Sequence, residues 1–136
     1  MAVLERVPKA VLPPLGLGVA VAAGMVFVGV VDPNEPGHYP TCPFLWLTGL
    51  YCPGCGTLRA LHGLATFDLG AALAMNPLLV AVIPVLVFWW ARWLADSWRG
   101  RPSRPLPRPA VIWGFIGVII VYWVVRNLPF AAFLAP

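Results

Sequence analysis

Charge is what this chain has least of. Lys, Arg, Asp and Glu together make up 10% of its 136 residues, against 60% hydrophobic residues, where a soluble domain carries roughly 25% charged residues. A soluble fold of this length has no way to hide so much apolar surface, which leaves an integral membrane protein. Signatures of common chemistries are missing as well. The chain has no Ser/His/Asp constellation, no HExxH and no phosphate loop, which weighs against an enzyme. It also lacks a thioredoxin-like βαβ pattern and a second CxxC pair. The formal charge of +4 does not point to nucleic acid. Arg99, Arg101, Arg104 and Arg108 sit between two apolar runs without interleaved aromatics to stack bases. They read as a positive-inside loop touching anionic lipid headgroups.

What the chain does have is three long apolar runs. Spans are predicted at about 10–31, 77–95 and 109–126, each near the length that about 30 Å of hydrocarbon requires. Arg6 and Lys9 followed by Ala20-Val21-Ala22 also suit a cleavable signal peptide, but the run continues to Val31 and favours an uncleaved span. Pro13 and Pro14 fall where missing amide donors cost least. Pro84 predicts a kink in the second span, and Trp89, Trp90, Trp93 and Trp98 an interfacial belt at its end. In the short third span, Gly114 and Gly117 offer a close helix contact, and Arg126 is expected to snorkel or the helix to stand upright. With the N-terminus and the 96–108 loop in the cytoplasm, Arg6, Lys9, Arg92, Arg99, Arg101, Arg104 and Arg108 lie inside. Only Arg59 and Arg126 are then outside. The 32–76 segment and the C-terminus then face the extracytoplasmic side of the cell membrane.

Between the first two spans, Pro40, Pro43, Gly49, Pro53, Gly54 and Gly56 argue against a regular helix before Leu58. Phe44 to Leu47 is expected at the membrane surface or in a protein-packed re-entrant loop, because lipid does not tolerate irregular backbone. One or two short interfacial helices should follow. The first fits Thr57 to Leu64 with Gly63 helping to end it, and the second starts at an Asp68 cap and reaches Asn76-Pro77.

The most specific feature is CPGCG at Cys52 to Gly56, with a third cysteine at Cys42. Three chemistries compete for it. As a metal knuckle, Cys42, Cys52 and Cys55 supply three ligands, with His38 as the fourth or His62 in its place, and zinc as a fitting ion. As a structural staple in an oxidising compartment, Cys42 pairs with Cys52 or Cys55, leaving one thiol over. As a redox site, a cysteine at a helix N-terminus becomes a thiolate and attacks disulfides. Arg59, four residues beyond Cys55, has three roles open to it: pairing with Asp68, raising thiolate character, or anchoring to headgroups. Asn76 is suited to the backbone groups freed by Pro77. Arg59, Asp68, Asn76 and Arg126 gather at one membrane face, which makes a pocket there a candidate.

The run from Cys42 to Leu78 resembles the bacterial membrane proteins of the domain-of-unknown-function (DUF) 2752 family. The resemblance rests on Cys42-Pro43, Thr48-Gly49, Cys52 to Gly56, Arg59, Asp68, Ala71 to Ala74 and Asn76-Pro77, with Arg126-Asn127 and Pro129 similar to the closing segment. Phe67 stands where that family usually has Gly. The resemblance implies a small multi-span membrane protein and carries over no activity. The overall expectation is an all-α membrane protein, with three transmembrane helices and a Cys-rich extracytoplasmic loop. Its expected role is that of an accessory or scaffold subunit of a larger membrane assembly, its loop stiffened by the cysteines and presenting Phe44, Trp46 and Tyr51. A membrane thiol–disulfide oxidoreductase or thiol sensor and a metal-binding protein are the alternatives.

Overall fold

The computed structural model describes residues 9–35, 37–40, 42–101 and 108–136. Arg6 and Arg104 of the charge count, and residues 102–107 of the basic 96–108 loop, lie outside them. All regular structure among the described residues is helical. A single 3-10 turn, Lys9–Val11, leads into α1 (Leu12–Val30), with Pro13 and Pro14 in the first turn, where no intrahelical donor is lost. After three short helices come α5 (Pro77–Trp98) and α6 (Pro109–Arg126). The first, fifth and sixth helices are each long and apolar enough to cross a membrane.

Few apolar side chains are buried. Val11, Val28, Cys55, Ala60, Ala72 and Ala131 are the buried hydrophobic residues, while Val19, Phe88 and Val121 stand more than half exposed. Apolar surface turned outward along helices of this length is lipid-facing surface, so the chain is a multi-pass membrane protein.

Where α1 and α5 meet, a small residue faces a large one. A Cβ on Gly18 would stand 2.7 Å from Trp90 Cζ2, and Trp90 Nε1 donates to the Pro14 carbonyl at 2.9 Å. Trp90 therefore turns inward, while Trp89, Trp93 and Trp98 keep the exposure expected of a belt. Pro84 sits inside α5, which continues through it as one helix three residues beyond the predicted Ala95 end. Gly114 and Gly117 meet no neighbour within 4 Å, because α6 engages the rest of the chain at its C-terminal end instead.

The connection between α1 and α5 holds α2 (Pro43–Thr48), α3 (Thr57–Ala65) and α4 (Leu69–Met75). The prolines and glycines predicted to prevent a helix before Leu58 bracket one instead. Pro43 occupies the first turn of α2, where it is pre-organised, and Gly49 ends it in the left-handed conformation. Gly63 does not end α3, which runs two residues further. It lets α4 approach, since a Cβ there would lie 2.8 Å from the Ala72 amide nitrogen. The α3–α4 corner is a Schellman turn, in which Asp68 N–H donates to Gly63 O at 2.7 Å and Phe67 N–H to Leu64 O at 3.3 Å. Phe67 fills its left-handed position at φ 61° while 95% exposed. Asp68 caps α4 by accepting from the Ala71 amide at 2.8 Å. His62 Nδ1 lies 2.8 Å from the Val28 carbonyl, one of the last-turn acceptors that α1 cannot satisfy itself, and thereby ties α3 to α1.

Candidate functional site

Tyr51 to Gly56 forms a tight turn closed by Cys55 N–H donating to Cys52 O at 3.1 Å, and it runs directly into α3. Gly56 makes that passage possible. It stands at φ +81°, and a Cβ there would come within 2.5 Å of the Met75 carbonyl oxygen. Cys42 reaches the same place from the N-terminal end of α2. The result is a cluster in which the sulfurs of Cys42, Cys52 and Cys55 all lie within 4.8 Å of one another. The Cys52 sulfur stands 2.9 Å from that of Cys55 and 3.7 Å from that of Cys42. All three are free thiols.

Their environments differ. Cys42 is held below the ordinary 9.0 of a thiol, first by the Leu45 backbone amide at the start of α2, as a helix N-terminus stabilises a thiolate. Cys55 is 7% exposed, and its burial pushes it up to about 12. The cluster thus pairs a thiol disposed to ionise with one that keeps its proton.

Residues far away in sequence hold the turn from beneath. Arg126, the last residue of α6, is 1% exposed. Its Nη1 donates to the carbonyls of Cys52 at 3.0 Å and Cys55 at 3.2 Å, and its Nη2 to Leu134 O at 3.0 Å. The guanidinium also lies over the Tyr122 ring, 5.1 Å from its centroid. Arg126 therefore neither snorkels nor meets headgroups. Its charge is spent on backbone carbonyl oxygens, and its own place in the last turn of α6 is one where a cation is favoured. Asn76, 2% exposed, caps α5 by accepting from Leu79 N–H at 3.1 Å while its Nδ2 donates to Pro53 O at 3.1 Å. Asn127 pairs with the Tyr51 backbone in both directions, accepting from its N–H and donating to its C=O at 2.8 Å each. These contacts set the turn's shape without any bond between sulfurs. They also place the segment following α6 at the same end of the bundle as the cysteines.

The two histidines stand elsewhere. His38 is exposed beside Glu35, at 4.0 Å, and His62 lies between Val28 and Asp32, with Nε2 3.7 Å from the carboxylate. Among the described residues no His, Asp or Glu joins the three sulfurs. Arg59 is exposed and forms no ion pair with Asp68. Its charge is felt at Asp32, a carboxylate held below its usual 3.8 first by the Asn34 amide. Asn127 and Tyr122 had no predicted role. A polar residue directly after an apolar span was the available signal for Asn127. Beside the thiols opens a cleft of about 500 Å³, lined among others by Cys42, Cys55, Tyr51 and Arg59.

The family model described as "Protein of unknown function (DUF2752)" matches residues 42–90. The match takes in all three cysteines, Asn76 and the first part of α5, and it bears out the resemblance read from the sequence. Comparison with curated proteins and comparison with solved structures gave no match.

Proposed function

We propose that this multi-pass membrane protein carries out thiol–disulfide exchange at Cys42, Cys52 and Cys55, on the extracytoplasmic side. The observation that carries this reading is a cluster of three free thiols on a turn already held by Asn76, Arg126 and Asn127. An accessory role rested on the cysteines as the stiffener of the loop. The backbone contacts supply that stiffness, and the thiols are left for chemistry.

The mutual proximity of the three sulfurs allows a sequence of steps. The Cys42 thiolate attacks one sulfur of an incoming disulfide, forming a mixed disulfide and releasing the other half as a thiolate. Cys52 then attacks Cys42 Sγ and releases the second half. Cys55, yielding its proton to a released thiolate, displaces Cys42 from Cys52, leaving a Cys52–Cys55 disulfide and the Cys42 thiolate. In balance, one external disulfide becomes two thiols, two electrons leave the Cys52/Cys55 pair, and its two protons pass to the released thiolates. The last step runs forward because the sulfur with the lower pKa is the better leaving group.

Intact mass after thiol alkylation, with and without prior exposure to a disulfide, tests this. Two alkylatable thiols should disappear on oxidation, and Cys52→Ser should abolish the intramolecular bridge. Full exchange by Cys52→Ser would sink the reading.

A metal centre is the second reading, favoured by one distance. Cys42 and Cys52 sulfurs stand 3.7 Å apart, near the ~3.8 Å edge of a tetrahedron with Zn–S bonds of about 2.3 Å. Zinc held by these three thiolates would keep one position open. Stoichiometric zinc in elemental analysis of protein purified without chelator would favour this reading over exchange.

A further inference from the structure

The cleft beside the thiols has a lining that bears on what reaches them. Cys42 and Cys55 line it and Cys52 does not. Since Cys55 is 7% exposed, an incoming molecule meets Cys42 first. The volume, about 500 Å³, falls in the range of about 300–1,000 Å³ typical of small-molecule sites, and it is too small to admit a folded domain. Two opposite charges also line it, Arg59 and Glu35. Arg59 makes no hydrogen bond or ion pair with a described residue, so its planar donors are open to a carboxylate. Glu35 is exposed and only loosely associated with His38, at 4.0 Å, so its carboxylate is open to an ammonium group. Tyr39 and Tyr51 also line the cleft.

We infer that the cleft takes a small disulfide of the amino-acid class, its α-carboxylate facing Arg59 and its α-ammonium facing Glu35, with the disulfide presented to Cys42. This rests on the exchange reading and adds the substrate class to it. The amino-acid disulfide is itself the oxidant: it takes two electrons and two protons from the Cys52/Cys55 pair and leaves as two amino-acid thiols.

Three disulfides of similar size separate the possibilities when mixed with the reduced full chain in lipid nanodiscs. Cystine carries both charges, cystamine only ammonium groups, and dithiodiglycolate only carboxylates. Loss of alkylatable thiols, followed by mass, should be about tenfold faster with cystine than with either of the others, the scale on which local charge alters association rates. Arg59→Gln should slow cystine and dithiodiglycolate and not slow cystamine. Glu35→Gln should slow cystine and cystamine and not slow dithiodiglycolate. Both residues are exposed, and unchanged melting temperatures would confirm that the variants fold.

Equal rates for the three disulfides, or an Arg59→Gln variant indistinguishable from the parent, would overturn the substrate class while leaving exchange intact. So would a preference for dithiodiglycolate over cystine, or faster oxidation by a folded protein disulfide. Failure of every disulfide to oxidise the triad would instead overturn the exchange reading itself.

Discussion

Replacing Arg126 by Met should loosen the cysteine turn without disturbing the spans. Three close hydrogen bonds vanish, at 3.0, 3.2 and 3.0 Å, and a bond from a charged donor contributes about 1.5–3 kcal/mol. The loss is partly offset. Cys52 O still accepts from Cys55 N–H at 3.1 Å, and Cys55 O keeps a long contact to Asn76 Nδ2 at 3.4 Å. The cost of burying a guanidinium also disappears with the substitution. A net loosening of about 2–4 kcal/mol follows, carried mainly by the bonds to Cys55 O and Leu134 O. Cys55 reports it directly, because a thiol 7% exposed reacts only when the turn opens. An opening made easier by about 3 kcal/mol raises its alkylation rate about 150-fold, at 1.36 kcal/mol per tenfold. Cys42, only partly buried, should change little and serves as the internal reference. Arg126→Lys should fall between, since one ammonium cannot span the carbonyls that the fork reaches together. If Arg126→Met alkylates at Cys55 no faster than the parent while its helices stay intact, Arg126 does not hold the turn.

Three further outcomes are expected. Cys55 keeps its proton to about 12 in the folded chain against an ordinary 9.0, so its contribution to stability is complete below pH 9 and is lost as pH climbs towards 12. Denaturation followed across that range should show a falling slope that Cys55→Ala flattens. Phe67→Gly relieves a side chain at φ 61° and should stabilise the α3–α4 corner by about 0.5–1 kcal/mol, less than the full left-handed penalty because glycine orders at greater cost. Thermal unfolding in detergent checks the sign, and a lower midpoint would refute it. Gly63→Ala places a Cβ 2.8 Å from the Ala72 amide nitrogen and should destabilise by about 1–3 kcal/mol, visible as a drop in the same midpoint.

The features legible in sequence were the local ones. Apolar runs gave the three spans, and Asp68 announced its own capping role, because length, hydropathy and caps depend on neighbouring residues. The α2 helix was misjudged because Pro43 and Gly49 were read as breakers, when their order, proline first and glycine last, is also that of a helix start and stop. Gly63 was given a local role for a contact made with a different helix. The CxxC pair is legible because it is a spacing, and the structure brings the third sulfur within 4.8 Å of the other two. Asn76 and Arg126 are legible as polar residues at the same membrane face, but their acceptors are not: with Asn127 they act on carbonyls of the cysteine turn 21 to 76 positions away, and no pattern in a single chain reveals which backbone groups lack partners. His38 and His62 complete a ligand set by residue type alone, and packing gives both residues other neighbours.

The buried Arg126 also fixes an order of assembly. During synthesis the cysteines leave the ribosome more than seventy residues ahead of it, the separation across which Arg126 reaches Cys55. Until the last span is in place, the turn has its own Cys55 to Cys52 bond and the support of Asn76, but not that of Arg126 and Asn127. Insertion of the final helix therefore completes the floor of the site. A chain stalled before it would carry the whole CPGCG motif on only part of its support.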